Sequence, residues 1–174
     1  MKCINLIVGA AAIAIAGASF AHDEWYMGVT VGYYDLGSER TKYSDLKAAN
    51  VGVQVGKYIS DDIAIELGYG VNTGYDDFSV SSLNALVWLG DESDDSWRPY
   101  LLGGVNQYDF DATRSLVRGH GDKSDQLMFG LGLGKQLDDD MEFRADIRAM
   151  YDLDGNDAQD HGLQISFNKR FGEK

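Results

Sequence analysis

The chain has 174 residues, the size of one domain, and its formal net charge is -13. A surface this acidic excludes nucleic acid from the expected partners. The only cysteine is Cys3, which excludes an internal disulfide and a cysteine-rich zinc site.

The first 21 residues have the composition of a secretory signal peptide. Lys2 supplies the positive charge, and residues 4–18 form an apolar run that is too short to span a bilayer comfortably. Ser19 and Ala21 place small residues at the two positions that signal cleavage requires. We therefore predict cleavage after Ala21 and one mature domain over residues 22–174. The alternative is a retained N-terminal anchor helix.

Segments of alternating apolar and small or polar side chains then follow along the chain, and a period of two indicates strands. The predicted strands are residues 25–36, 49–58, 63–71, 80–89, 97–108, 126–137, 141–151 and 162–171. The phase of residues 97–108 is ambiguous, because Leu101-Leu102 and Gly103-Gly104 interrupt the alternation. The predicted connections are long and short in turn.

The seventh predicted strand has the clearest pattern. One face carries charges of alternating sign, on Glu142, Arg144, Asp146 and Arg148. The other face is apolar and consists of Phe143, Ala145, Ile147, Ala149 and Tyr151. Such a strand fits either a soluble sandwich, with its charges in water, or an outer-membrane barrel, with its charges in the lumen.

The rest of the chain favours the barrel. The predicted strands are about ten residues long, enough to cross a bilayer when tilted. The 21 glycines suit a crowded barrel interior, and alternating long and short connections are typical of outer-membrane barrels. A soluble barrel would leave a belt of Val, Leu, Ile and Phe uncovered. We predict an all-β fold, an eight-stranded antiparallel up-and-down transmembrane β-barrel.

Three stretches carry a resemblance to a known family: residues 65–70 (IELGYG), residues 97–100 (WRPY) and residues 167–172 (FNKRFG). On these the chain resembles the OmpA-like eight-stranded outer-membrane barrels, over the whole mature length. The resemblance implies a Gram-negative outer membrane and an insertion machinery that recognises a C-terminal aromatic residue. Phe171 matches that residue, although three residues follow it. Larger members continue into a peptidoglycan-binding domain, which we do not expect here.

The resemblance also implies a lumenal ion-pair cluster. Glu66 and Arg144 match the positions of the central pair, which Asp146 and Arg148 would extend. The physical reason is independent of the family: an eight-stranded barrel is barely wide enough for its own side chains, so charges inside it must be paired or hydrated. The cluster either fills space and fixes the register, or acts as a gate whose pairs exchange partners and admit ions.

The sequence predicts no catalytic, cofactor-binding or metal-binding residues. A His-x-Ser pair would be the signature of a barrel lipid deacylase, but Gly162 and Leu163 follow His161. The acidic stretch at residues 152–157 resembles a calcium-binding loop in composition, but Gly155 comes two positions too early for an EF-hand. We expect no cofactor.

The expected role is structural: envelope integrity, or surface interaction through the loops. The alternatives are a narrow pore for ions or small solutes and a lipid-modifying enzyme. The expected partners are the insertion machinery and outer-membrane lipids, including lipopolysaccharide. The chain is expected to be a monomer. Cations of the first and third loops could contact the phosphates of lipopolysaccharide. These cations are Arg40, Lys42, Lys47, Arg114, Arg118 and Lys123. Ordinary loop solubility is the alternative reason for them.

Overall fold

The structure, a computed structural model, describes residues 24–36, 46–72, 78–90, 96–110, 123–153 and 159–172. The strands are β1 (Trp25–Leu36), β2 (Leu46–Ser60), β3 (Ile63–Asn72), β4 (Phe78–Trp88), β5 (Arg98–Phe110), β6 (Lys123–Gln136), β7 (Met141–Asp152) and β8 (Gln159–Phe171). The predicted signal peptide lies outside the described residues. The described ranges include no helix that is long and apolar enough to cross a membrane.

The strands form one closed antiparallel barrel in which each pairs with its neighbours in the sequence, and β1 pairs with β8. Closure places Trp25 opposite Phe171 on one side and opposite Lys57 on the other. We name the end where β1 begins and β8 ends the terminal end, and the opposite end the loop end. The predicted up-and-down transmembrane barrel is confirmed.

Most strands are longer at the loop end than the sequence predicts, and three are longer by three residues. β2 begins at Leu46, β6 at Lys123 and β8 at Gln159, each three residues earlier than the predicted start. The reason is that polar residues in these extensions face the lumen: Ser124 and Asp160 are both buried. Their polarity resembles that of a loop, but it serves the barrel interior.

The structure shows which side chains of β5 face inward, where the sequence pattern is ambiguous. Tyr100, Leu102, Asn106 and Tyr108 are buried and face the lumen, so the alternation of inward and outward side chains continues through the paired leucines and glycines.

Long and short connections do not alternate strictly. The β4–β5 connection at the terminal end (residues 89–97) is longer than the β3–β4 connection at the loop end (residues 73–77).

The outward face carries a broad belt of apolar side chains. Large side chains there are about half exposed, and include Val29, Val53, Leu101, Leu131, Ile147 and Leu163. Aromatic rings lie near both ends of this belt, as expected where a barrel meets the two membrane interfaces. Tyr33, Tyr69 and Tyr151 lie toward the loop end. At the terminal end, the Phe143 ring lies 5.9 Å from that of Trp97 and 5.0 Å from that of Phe167.

Glycines on the inward face make room for the large lumenal rings. A Cβ atom on Gly132 would overlap the ring of Tyr100, and one on Gly134 would overlap the ring of Trp88. These two rings pack against each other with their centroids 4.8 Å apart. The interior is therefore filled by its own side chains, as expected for eight strands.

Candidate functional site

Inside the lumen, Arg144 binds two carboxylates. Its Nη2 donates to Oε2 of Glu66 at 2.6 Å, and its Nε lies 3.1 Å from Oε1 of Glu142. All three side chains are at most 3% exposed. The guanidinium also lies over the ring of Tyr26, 4.9 Å from its centroid. Arg144 thus connects β7 to β3 across the barrel interior.

Neutral groups complete the shell around this pair. The Tyr26 hydroxyl donates to Glu66 Oε2 at 2.9 Å, and Asn84 Nδ2 donates to Glu66 Oε1 at 3.3 Å. Asn168 lies against Arg144: with its oxygen turned to the guanidinium, it accepts from Nε at 2.8 Å and from Nη2 at 3.0 Å. A buried ion pair needs such additional partners, because its desolvation is otherwise uncompensated.

Asp146 and Arg148 form a second buried pair within β7. Arg148 Nε donates to Asp146 Oδ1 at 2.5 Å, and Nη2 donates to Oδ2 at 3.3 Å. The hydroxyl of Tyr100 donates to Oδ2 of Asp146 at 2.7 Å. The four charged residues that the sequence singles out for the lumen are therefore all buried inside it, as two pairs at neighbouring levels of the barrel.

A third group of charges, which sequence reasoning missed, lies at the terminal end. Arg170 Nη2 donates to Glu142 Oε2 at 2.7 Å and to the Tyr58 hydroxyl at 3.0 Å, and its Nη1 lies 3.4 Å from Oε1 of Glu24. Since Arg144 also contacts Glu142, this carboxylate joins the two arginines. The signal was available: Arg170 shares the polar phase of the last strand with Asn168.

The loop end of the lumen holds an uncharged cluster that the sequence did not suggest. Asn106 Nδ2 lies 3.4 Å from the sulfur of Met128 and 3.5 Å from that of Met150. The hydroxyl of Tyr108 donates to the Met150 sulfur at 3.3 Å. All four side chains are at most 1% exposed.

The space left between these lumenal groups is small. The gap lined by Glu66, Arg144, Asp146 and Arg148 has no room for a water molecule. Cavities toward the loop end, beside Asn50, and toward the terminal end each measure about 20 Å³. This is roughly the space of one water. Among the described residues, the gap at these ion pairs therefore holds no water, and the cavities on either side hold about one each.

Phe171 lies on the outward face at the end of β8 and is 49% exposed. The Nζ of Lys169 lies 5.8 Å from the centroid of its ring. The ring is accessible from the membrane side, as recognition by another protein requires. That the insertion machinery recognises it stays a prediction.

The residues considered for catalysis or metal binding are only partly described. His161 lies on the outward face, opposite Asp35 and Ala149 in the two flanking strands. Over the described ranges, no group of three or more His, Cys, Asp or Glu side chains could hold a metal ion. Most of the acidic stretch that resembles a calcium-binding loop, at residues 154–157, lies outside these ranges. Lys47 and Lys123 lie in β2 and β6, so their predicted place in loops is wrong. Among the six predicted cations, only the side chain of Lys47 is described.

Comparison with known proteins agrees with this architecture. The sequence profile of the "Outer membrane protein beta-barrel domain" family matches residues 6–171. "Outer membrane porin F" of Pseudomonas fluorescens is 27% identical over an alignment of 137 residues, and the match covers 71% of this chain and 40% of that protein. The chain thus spans less than half the length of this relative.

Solved structures share the fold at low identity. The N-terminal barrel domain of Pseudomonas aeruginosa OprF has a TM-score of 0.60 at 19% identity, covering 82% of this chain and 96% of that one. Neisserial surface protein A has 0.62 at 16%, covering 86% and 100%. The outer membrane enzyme PagL has 0.51 at 12%, covering 82% and 98%. The shared fold therefore does not by itself decide between a structural protein and an enzyme.

Proposed function

The chain belongs to the outer membrane protein beta-barrel domain family and is an outer-membrane barrel; from this premise we propose that its role is structural, serving envelope integrity or surface interaction through its loops. The observation that carries the proposal is the filled lumen. At the level of Glu66 and Arg144, the interior has no room for water. A barrel closed in this way acts through its wall and its loops.

The energetics of the buried network support a lumen that is closed in nearly all molecules. Opening a path past Arg144 would separate it from Glu66 or Glu142, and each of these carboxylates is buried. Breaking a buried ion pair costs about 3–5 kcal/mol, because the remaining charge is uncompensated. A state that costs this much is populated in about one molecule in a hundred or fewer.

The proposal is tested in cells that lack the chain, by uptake of a hydrophobic fluorescent probe and by sensitivity to detergent. We expect both to rise on deletion and to return to normal with the wild-type chain. They should also return to normal with the double variant Glu66→Gln/Arg144→Met, which removes a buried ion pair but keeps the wall and loops. If deletion changes neither quantity, the structural role is wrong.

The second candidate is a narrow pore, favoured by the position of Arg144 between two carboxylates. A shift of the guanidinium toward either partner would open space on its other side. Among the described lumenal side chains, buried carboxylates outnumber buried arginines, so a conducting path would favour cations. Reproducible single-channel openings with cation selectivity would support this candidate over the structural one.

We also infer a non-enzymatic role. A lipid deacylase needs a serine within hydrogen-bonding reach of a histidine, whereas residues 162 and 163 after His161 are glycine and leucine. The check is lipid analysis of outer membranes from cells with and without the chain, where identical acylation of the lipids is expected.

Export and assembly complete the proposal. The leader is cleaved after Ala21, the insertion machinery recognises Phe171, and the barrel acts as a monomer in contact with outer-membrane lipids, including lipopolysaccharide. The support is the composition of residues 1–21 and the exposed position of the Phe171 ring. N-terminal sequencing of protein from outer membranes tests the cleavage site, with His22 as the expected first residue.

A further inference from the structure

A groove of about 620 Å³ runs along the outward face of the barrel toward the loop end. Its apolar walls include Tyr33, Leu101, Phe129, Leu131, Ile147 and Leu163. Within the groove, Ala149 lies between Phe129 of β6 and His161 of β8, so that a short side chain is flanked by two large ones. One level nearer the middle of the barrel, the row is made of large apolar side chains again.

The rim of the groove at the loop end is polar. His161 lies opposite Asp35, and Asp35 lies opposite Lys47. The Lys47 Nζ is 3.7 Å from the Asp35 carboxylate, and the lysine side chain is 56% exposed. Beside them, Gln159 donates to the hydroxyl of Tyr151 at 3.1 Å. Polar groups thus extend across β7, β8, β1 and β2 above an apolar groove.

We propose that this groove binds an acyl chain of lipid A, the phosphorylated glycolipid anchor of lipopolysaccharide, and that Lys47 faces one of its phosphates. The inference rests on the proposed function, because an outer-membrane barrel with its loop end outside places the groove in the outer leaflet. Lipid tails are the solvent of this belt, so an apolar concavity there takes up a flexible hydrocarbon chain.

The polar side chains of the rim indicate which lipid headgroup fits above the groove. Lys47 and the His161 ring offer donors to a phosphate, and the Gln159 and Tyr151 side chains offer hydrogen bonds to sugar hydroxyls. These groups span four strands, and neighbouring strands lie roughly 4.8 Å apart. That width suits a phosphorylated disaccharide better than the single phosphate of a glycerophospholipid.

The test is native mass spectrometry of the folded barrel in micelles, with added lipid A or, separately, phosphatidylethanolamine. Ala149→Trp fills the groove with an apolar ring. Ala145→Trp is the matched control, since Ala145 lies on the same face of the same strand, between Leu133 and Ile165 and outside the groove. We expect the first variant to weaken lipid A binding roughly tenfold and the control to leave it unchanged.

A second comparison tests the contact between Lys47 and the headgroup. Lys47→Gln should weaken binding of lipid A and should not change binding of the dephosphorylated form. Equal losses for both forms would contradict a contact between Lys47 and phosphate.

Several outcomes would overturn the proposal. These are equal binding of lipid A by the Ala149 variant and its control, equally strong groove-dependent binding of phosphatidylethanolamine, and a dimer that the Ala149 variant dissociates. If Ala149→Trp does not fold, Ala149→Leu replaces it with the same expectation. Failure of the proposed function is seen separately, since a barrel that conducts ions can still bind lipid A at this groove.

Discussion

Replacing Arg144 by methionine removes a buried lumenal charge while keeping an unbranched side chain that reaches about as far as the arginine Nε. The two carboxylates that it binds are left in different situations. Glu142 keeps the guanidinium of Arg170 at 2.7 Å and the hydroxyl of Tyr58 at 2.9 Å. Glu66 keeps hydrogen bonds from two neutral groups, the Tyr26 hydroxyl and the Asn84 amide. The loss therefore falls mainly on Glu66.

The magnitude follows from this burial. Glu66 is 3% exposed, and leaving one partner of a buried ion pair uncompensated costs about 3–5 kcal/mol. Adding Glu66→Gln removes the uncompensated charge and leaves neutral hydrogen-bonding groups. The double variant should therefore recover most of the loss and lie within about 1 kcal/mol of the wild type.

The assay is urea-induced unfolding from lipid vesicles, followed by the gel shift between unboiled and boiled samples. Lys47→Met is the matched control, because its ion pair with Asp35 lies at 3.7 Å on an exposed surface and should change the free energy of unfolding by at most about 1 kcal/mol. If Arg144→Met costs no more than this control, and the double variant brings no recovery, the buried network does not stabilise the barrel and the reasoning is refuted.

Three further predictions concern the wall and its assembly. Ile147→Arg, in the middle of β7 on the outward face, should cost about 2–4 kcal/mol in vesicles, and Tyr151→Arg near the interface about 0–1 kcal/mol; equal costs would contradict the assigned depth. Gly132→Val should displace the lumenal ring above it and cost about 1–3 kcal/mol by overpacking. Gly103→Val should be tolerated, because its nearest contact would be at 3.8 Å on the outward face. Phe171→Ala should slow assembly by the purified insertion machinery and leave spontaneous folding in vesicles unchanged; equal slowing of both would argue against recognition.

The fold could be predicted from the sequence because the period of two is written into most strands. In β7 every second residue from Glu142 to Met150 is lumenal, and all are buried. The prediction was less successful where polar residues continue a strand. Asp160 looks like part of an acidic loop, yet it is buried and accepts a hydrogen bond from Gln126 at 2.6 Å. A polar lumen and a polar loop have the same composition, so sequence alone cannot place the border between them.

The candidate site shows a similar division. The alternating charges of β7 place Arg144 in the lumen, but which carboxylates it reaches depends on the stagger between strands distant in sequence. The bridging position of Glu142, between Arg144 and Arg170, therefore needed the register of β8 against β7. The outward groove could not be predicted from the sequence either, because the large neighbours of Ala149, Phe129 and His161, are known only from the register of β6 and β8 against β7.

The closed lumen is tested most directly by single-channel conductance in planar bilayers, with protein whose folding is verified by its heat-dependent gel shift. The structure leaves no room for water at the level of Glu66 and Arg144, so we predict a current no greater than that of the bare membrane. Reproducible openings of the wild-type barrel that disappear in Arg144→Ala would contradict this account and make the ion pair a gate.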